Sequence, residues 1–440
     1  MKHNLIQYIL SNLFGKPSWK ICFLSMVAIA MLNYTTPEYL KYWYILLAMI
    51  LMNMFIYKHI CNIYKSKLVK ILYCTMFVLP ILTGIGAMLI PYYTWNPIFR
   101  SVSTGAILSY VLFMQLAIAI LAVGCIHYWY LQTKNKTFTL KKIYTSFAII
   151  SLAVLCCCYS IGMFYGKNNL VIRQVSLPIT NLPQSFTGYK IAHLSDFHLG
   201  SMYNRSTVKR MIDSVNTMKP DMIAITGDIV TLCSSELKIY LPILKQLYAK
   251  DGIYMVLGNH DYTKYPHYPN AYEKTTDSIA FNTMITDSLN WILLNDDSRL
   301  LIRNNDTIAI AGTQYIGLPS LKKIKLFGDN PYSFGDINKA LHNVGNHNTI
   351  LLTHNPVIWS RKIIQHYPIV DITLSGHTHA GQMGIYKKKY QHQYSEYNDK
   401  TKAGLFQHNN QYLYINSGIG TSAMHSRFLI YPEITLITLK

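Results

Sequence analysis

Ile372-Thr373-Leu374-Ser375-Gly376-His377-Thr378-His379 places two imidazoles two positions apart, directly after a short apolar, β-branched run. A run of this length and composition reads as a buried strand. A ligand-bearing loop at the carboxyl end of such a strand is where open α/β sheets collect their sites.

The same arrangement recurs upstream. Ile191-Ala192-His193-Leu194 leads to Asp196-Phe197-His198, Met222-Ile223-Ala224-Ile225 to Gly227-Asp228, Ile253-Tyr254-Met255-Val256-Leu257 to Gly258-Asn259-His260-Asp261, and Ile350-Leu351-Leu352 to His354. These motifs supply three carboxylates (Asp196, Asp228, Asp261), one amide (Asn259) and five imidazoles (His198, His260, His354, His377, His379). That is the ligand chemistry of a two-metal hydrolytic site. Five strand ends can bring the motifs together in space although the sequence scatters them. Any one motif is weak evidence, and a single His is more often a packed or surface residue, so His193, His342, His347 and His366 receive no role.

The ordered set resembles the calcineurin-like metallophosphoesterases. The longer string Ser375-Gly376-His377-Thr378-His379-Ala380-Gly381-Gln382, and the run from Asn416-Ser417-Gly418-Ile419-Gly420-Thr421 through Arg427 to Pro432-Glu433-Ile434, are similar to a bacterial, often membrane-anchored branch that includes UDP-2,3-diacylglucosamine pyrophosphatases. The resemblance covers roughly residues 170 to 440. It implies an α/β metallophosphoesterase domain, a mixed β-sandwich flanked by helices, over residues 166–440.

Helical spacing of Val208, Met211, Ile212 and Val215, and of Leu237, Tyr240, Leu241, Leu244 and Leu247, agrees with such a domain. So do further strand-like runs at 308–311, 412–415 and 434–439.

The resemblance also implies roles. Asp196, His198, Asp228 and His379 would hold one divalent ion, and Asp228, Asn259, His354 and His377 a second, with Asp228 bridging. His260 would stabilise developing charge or protonate the leaving oxygen, and Asp261 would hold its ring. Carboxylate, imidazole and amide donors suit Mn, Fe, Zn or Mg and leave the choice open. Many members of the superfamily carry an acid three positions after the bridging Asp; here that position is Thr231, which puts tuning of the outer shell in doubt rather than metal binding.

Composition points to a different first part. The net charge is +20, yet Glu38 is the only acidic residue before residue 166. The Lys and Arg residues there lie between apolar stretches rather than on one globular face, so nucleic acid is set aside as a partner. Four stretches (42–57 with its flanks, 69–90, 103–129 and 144–165) meet the roughly 20 residues that a membrane helix needs, and a shorter one covers 19–33.

Tyr42, Trp43 and Tyr44, and Tyr92, Tyr93 and Trp95, sit at stretch ends like aromatic belts. The expectation is an α-helical multi-span membrane region of four or five helices over 1–165, followed by the phosphoesterase domain. Lys58, Lys65, Lys67 and Lys70, and Lys134, Lys136, Lys141 and Lys142, would mark cytoplasmic loops, placing the catalytic domain on the extracytoplasmic side of a cell membrane. Seven of the eight Cys residues are in or beside these stretches, and a lone Cys233 excludes a disulfide framework in the C-terminal part.

Two functional readings follow. One is a membrane-anchored dinuclear phosphohydrolase cleaving a phosphodiester or pyrophosphate bond in a phosphorylated small molecule, a lipid-linked compound or a UDP-sugar lipid. The other is a membrane sensor or transport-coupled protein whose phosphoesterase domain only binds a ligand. The complete ligand set and His260 favour the enzyme, because a binding domain has no need of both metal sites. The stretch 316–330, with Lys322, Lys323 and Lys325 among Leu321, Ile324, Leu326 and Phe327, is open to two readings: a contact with membrane lipids or a solvated loop. Lys387, Lys388 and Lys389 are likewise either a steering patch or a solvated face.

Overall fold

Alternation decides where each strand of this protein points. In β3 (Met222–Ile225), Met222 and Ala224 face one core while Ile223 and Ile225 face another, as the two-residue period of a strand requires. Both faces are apolar and all four residues are buried, which fits a parallel strand covered on both sides.

The computed structural model describes residues 67, 71, 154, 157–202, 204–266, 268, 270–317, 333–384, 403–422 and 425–440. The elements below lie in one unit that contains residues 155–440.

Among the described residues, two six-stranded sheets form the domain. The first has the order β1-β12-β2-β3-β4-β5, from β1 (Val171–Leu177), β2 (Lys190–Leu194), β3, β4 (Ile253–Met255), β5 (Ile292–Leu293) and β12 (Glu433–Leu439). The second has the order β10-β11-β9-β8-β7-β6, from β6 (Asp297–Arg303), β7 (Asp306–Gly312), β8 (Thr349–Leu352), β9 (Val370–Ser375), β10 (Gly404–His408) and β11 (Gln411–Ile415). Strand β12 lies between β1 and β2, pairing Val171 with Glu433 in parallel and His193 with Thr435 antiparallel.

Residues of both sheets share one apolar core: Ile191, Met222, Tyr254 and Ile437 meet Ile310, Ile350, Ile372 and Tyr414. The outer face of the first sheet packs on helices α1 (Arg205–Thr217), α2 (Ser235–Leu244) and α3 (Ala271–Thr283), through Val208, Met211, Leu237, Tyr240 and Phe281. Asn204 caps α1 by accepting the Ser206 N–H, and Asn270 caps α3 through the Glu273 N–H. The outer face of the second sheet is covered by the short α4 (Ile337–Ala340) and by Ile358, Trp359 and Ile363. The expected helix-flanked β-sandwich is present; the helical spacing read from 208–215 falls on α1, and that read from 237–247 falls on α2 except for Leu247, which lies beyond its end.

The multi-span membrane region requires correction. Among the described residues no helix is long and apolar enough to cross a membrane. Helices α1 and α3 each have 13 residues, well short of about 20, and the exposed Lys209–Asp213 pair on α1 shows the polar face of an ordinary surface helix. The stretches 19–33, 42–57, 69–90, 103–129 and 144–165 lie outside the described residues, apart from Ile71, Val154 and 157–165. The multi-pass location, with its extracytoplasmic catalytic side, is withdrawn on the same finding. The Lys-rich stretches 318–330 and 387–389 also lie outside the described residues.

Candidate metal centre

Parallel pairing of β2 with β3 and β3 with β4, and of β8 with β9, sends the loops after these strands to one edge. The crowding there is severe. A side chain at Gly258 would overlap the Asp228 carboxylate, and one at Gly376 would overlap Ser195 and Asp196, so both glycines are demanded by close approach of the loops.

Asp196, His198, Asp228, His377 and His379 all adopt positive φ between 43° and 71°. Asp and His tolerate the left-handed region better than most residues, but each such position costs on the order of 1–3 kcal/mol and persists only where neighbours fix it. At Asp196 the fixing contacts are visible: its N–H donates to Gly227 O at 2.9 Å, and its carboxylate accepts the His377 N–H at 3.0 and 3.1 Å.

Three groups of donors converge: Asp196, His198 and His379; His198, Asp228 and His260; and Asp228, His354 and His377. Asp228 Oδ2 lies 3.5 Å from His198 Nε2 and 3.2 Å from His354 Nε2, so one oxygen faces both imidazoles. Asp228 Oδ1 is turned away and accepts the His260 N–H at 2.9 Å. His198 Nε2 and His379 Nε2 are 3.1 Å apart, as are His354 Nε2 and His377 Nδ1. Two nitrogens about 2.1 Å from a common ion and at right angles to one another would be separated by about 3 Å, so both pairs have the spacing of adjacent ligands. Asn259 is buried and its Oδ1 has no hydrogen-bond partner, while its Nδ2–H donates to Tyr265 Oη at 2.8 Å. An orphaned, buried carbonyl oxygen beside such a set fits a cation.

The backbone sets the tautomers. His354 Nδ1 is 2.6 Å from Thr226 O and His260 Nδ1 is 2.6 Å from Thr231 O. A carbonyl can only accept, so each Nδ1–H donates and each Nε2 is left for the site. Thr231 thus meets His260 through its main chain, and its own N–H donates to the buried Glu236 carboxylate.

The expected contact from Asp261 to the His260 ring is absent. Asp261 instead accepts main-chain N–H groups from Asp228 (2.7 Å), Ile229 (2.8 Å), Val230 (3.2 Å) and Gly258 (2.9 Å).

Burial lowers the His377 pKa to about 3, with the His354 charge assisting. Burial likewise carries His198 and His379 well below the usual imidazole range, leaving neutral donors at neutral pH. Burial would lower His354 as well, but the charge and hydrogen bond of Asp228, with Asp196 behind it, raise it to about 9. Burial would raise Asp228, yet the surrounding imidazoles hold it well below the carboxylate range. In the metal-free chain the His354 cation therefore neutralises Asp228. Burial, helped by the Asp228 charge and opposed by that of the His354 cation, raises Asp196 to about 6.

Four residues of the site received no role from the sequence. Arg427, wholly buried, donates to Gly420 O at 2.7 Å and Ser417 O at 2.9 Å, with the same guanidinium 3.3 Å from His379 Nδ1. Tyr265 lies against His260 at 4.5 Å between ring centroids, and Tyr315 is 5.9 Å from both His354 and His377. Lys264 Nζ stands 5.5 Å from the Tyr265 centroid and 5.6 Å from that of Tyr315. For Lys264 and Tyr265 alone, the mixed basic and aromatic run Tyr262-Thr263-Lys264-Tyr265, directly after Asp261, was a signal in the sequence.

The family description "Calcineurin-like phosphoesterase" matches residues 189–381. The chain is 30% identical over 267 residues to the uncharacterized metallophosphoesterase YkuE of Bacillus subtilis, covering 59% of this chain and 82% of that protein. It is 27% identical to the UDP-2,3-diacylglucosamine pyrophosphatase LpxG of Chlamydia trachomatis, covering 58% and 86%. To the Bos taurus transmembrane protein with metallophosphoesterase domain it is 29% identical, covering 51% of this chain and 47% of the relative, so the match spans about half of that longer protein. With the match to YkuE extending over most of that protein, and Asp and His side chains grouped so that they could hold a metal ion, the chain belongs to the calcineurin-like phosphoesterases, metal-dependent hydrolases of phosphoric esters.

Proposed function

We propose that the chain is a dinuclear phosphohydrolase acting on a phosphodiester or pyrophosphate bond, and that Asp228 joins its two ions. The observation that carries this reading is the single oxygen, Asp228 Oδ2, facing His198 on one side and His354 on the other. Asp196, His198, Asp228 and His379 would hold one ion, and Asp228, Asn259, His354 and His377 the other. When bound, a pair of divalent ions neutralises phosphoryl oxygens and supplies a nucleophile at neutral pH.

The chain's own residues do the rest. The Thr231 carbonyl holds the His260 Nδ1–H, so Nε2 is the atom available to exchange a proton with a leaving oxygen. Asp261 fixes the Asp228 loop through its main chain. The likeness to LpxG supports the finer reading that a nucleotide-linked, lipid-bearing pyrophosphate is the substrate.

The test is hydrolysis of bis-p-nitrophenyl phosphate by the full chain with Mn²⁺ or with chelator, beside Asp228→Ala. Turnover that chelator abolishes and the variant lacks is expected. Equal turnover by the folded variant would overturn the assignment of Asp228, and none by metal-loaded wild type would favour a domain that only binds its ligand.

A further inference from the structure

The loop that carries Asn259 and His260 continues into a cage of rings around one cation. Lys264 Nζ is 5.5, 5.6 and 5.8 Å from the centroids of Tyr265, Tyr315 and Phe334, within the range of cation–π attraction. The cage is braced from behind: Phe334 stacks on Tyr262 at 4.5 Å, and the Tyr262 hydroxyl accepts the Tyr315 N–H at 3.1 Å. It abuts the candidate ligands, because Tyr265 touches Asn259 and His260, and Tyr315 faces His354 and His377. Its mouth is open, since Tyr265 is 49% and Phe334 44% exposed, whereas Tyr315 is 9% exposed.

A lysine side chain gives up rotamer freedom when it is held in one place. Three rings fix this ammonium beside the Asn259, His354 and His377 side of the centre. A compact point charge of this kind is suited to a phosphate oxygen, and rings that displace water strengthen its attraction for an anion. The scissile phosphoryl group would be neutralised at the metal ligands, so the ammonium meets what is joined to it.

We infer that Lys264 binds the phosphoryl group adjacent to the one cleaved, which makes diphosphate-type esters the preferred substrates. The inference rests on the phosphohydrolase reading and deepens it. Within it Lys264 sets specificity, and Tyr265, Tyr315 and Phe334 position it.

The test uses the metal-loaded full chain. Competition of UDP-N-acetylglucosamine (two phosphoryl groups) and uridine monophosphate (one) against bis-p-nitrophenyl phosphate is measured for wild type, Lys264→Arg and Lys264→Met. The wild type is expected to bind the diphosphate about tenfold or more tightly than the monophosphate, the scale of one charge-assisted contact. Lys264→Met should lose most of that ratio and Lys264→Arg keep part of it, with the KM for bis-p-nitrophenyl phosphate rising less than the inhibition constant of the diphosphate. Equal binding of the two nucleotides by wild type, an unchanged ratio in Lys264→Met, or equal losses on all three compounds would overturn the inference while leaving phosphodiester hydrolysis intact. Absence of any metal-dependent hydrolysis by wild type would instead remove the reading on which it rests.

Discussion

The main-chain N–H of Asp228 donates to the Asp261 carboxylate at 2.7 Å, so the residue that faces both the His198 and the His354 imidazole is held by a neighbour that touches neither ring. Asp261→Asn replaces one acceptor oxygen with an NH₂ group aimed at main-chain donors. A hydrogen bond to a charged group contributes about 1.5–3 kcal/mol, and stability should fall by roughly that amount in urea unfolding. Metal affinity should fall about 10- to 100-fold, as when other outer partners of ligands are removed. Unchanged metal content would separate the loop's anchoring from the site.

Asp228→Ala and His198→Ala should differ in stoichiometry. Elemental analysis of the purified proteins is expected to show both ions lost from the first and one retained by the second. Equal loss from the two variants would mean that the ligand groups fill as one cooperative unit.

His354 predicts a proton count. Its folded pKa of about 9 means that the metal-free ring is protonated at pH 7.5, and a ligand must be neutral to bind. Binding should release about one proton from this ring below pH 9. Apparent affinity should then fall about tenfold for each pH unit below that value. Titration calorimetry in buffers of different ionisation enthalpy measures the release, and a value near zero at pH 7.5 would contradict the Asp228–His354 ion pair.

His193 predicts acid sensitivity. The ring is fully buried, bonded to Thr226 Oγ1 at 2.9 Å, and burial lowers its pKa to about 3. The unfolded chain takes up this proton near pH 6.5 and the folded chain does not until about pH 3. The stabilisation is therefore present above pH 6.5 and is lost as the pH falls, by about 3 kcal/mol at pH 4. Urea unfolding of chelated wild type and His193→Gln over that interval should show the shallower pH dependence in the variant; parallel curves would assign the sensitivity to other groups.

Arg427→Met removes a buried cation that holds the carbonyls of Ser417 and Gly420. Stranding both acceptors should cost about 2–5 kcal/mol, read from thermal and urea unfolding. Metal affinity should also drop, because the guanidinium packs against His379.

The strand ends and the convergence of the side chains that follow them were legible because a strand's period is local and each motif follows its strand directly. Thus Asp196, Asp228, His354 and His377 could be placed from the runs before them. The role of Asp261 was not legible: a carboxylate next to a histidine suggests a side-chain pair, whereas the loop turns it onto main-chain donors of another loop. Arg427 was visible as part of a motif, but its contact with His379 depends on how two distant segments fold together. The cage around Lys264 joins 262–265 to Tyr315 and Phe334, a pairing no local pattern encodes. The membrane expectation rested on hydropathy over 1–165, while the described helices answer to amphipathic packing on a sheet.

The position of β12 between β1 and β2 has a consequence for synthesis. At about 5–20 residues per second, the register partners Val171 and Glu433 leave the ribosome roughly 13–50 seconds apart. Throughout that interval the nascent first sheet has a gap where its shared neighbour belongs, with β1 and β2 both presenting unpaired backbone. Such open edges invite pairing with other chains, so slowed elongation before residue 433 should lengthen the exposure that chaperones must cover.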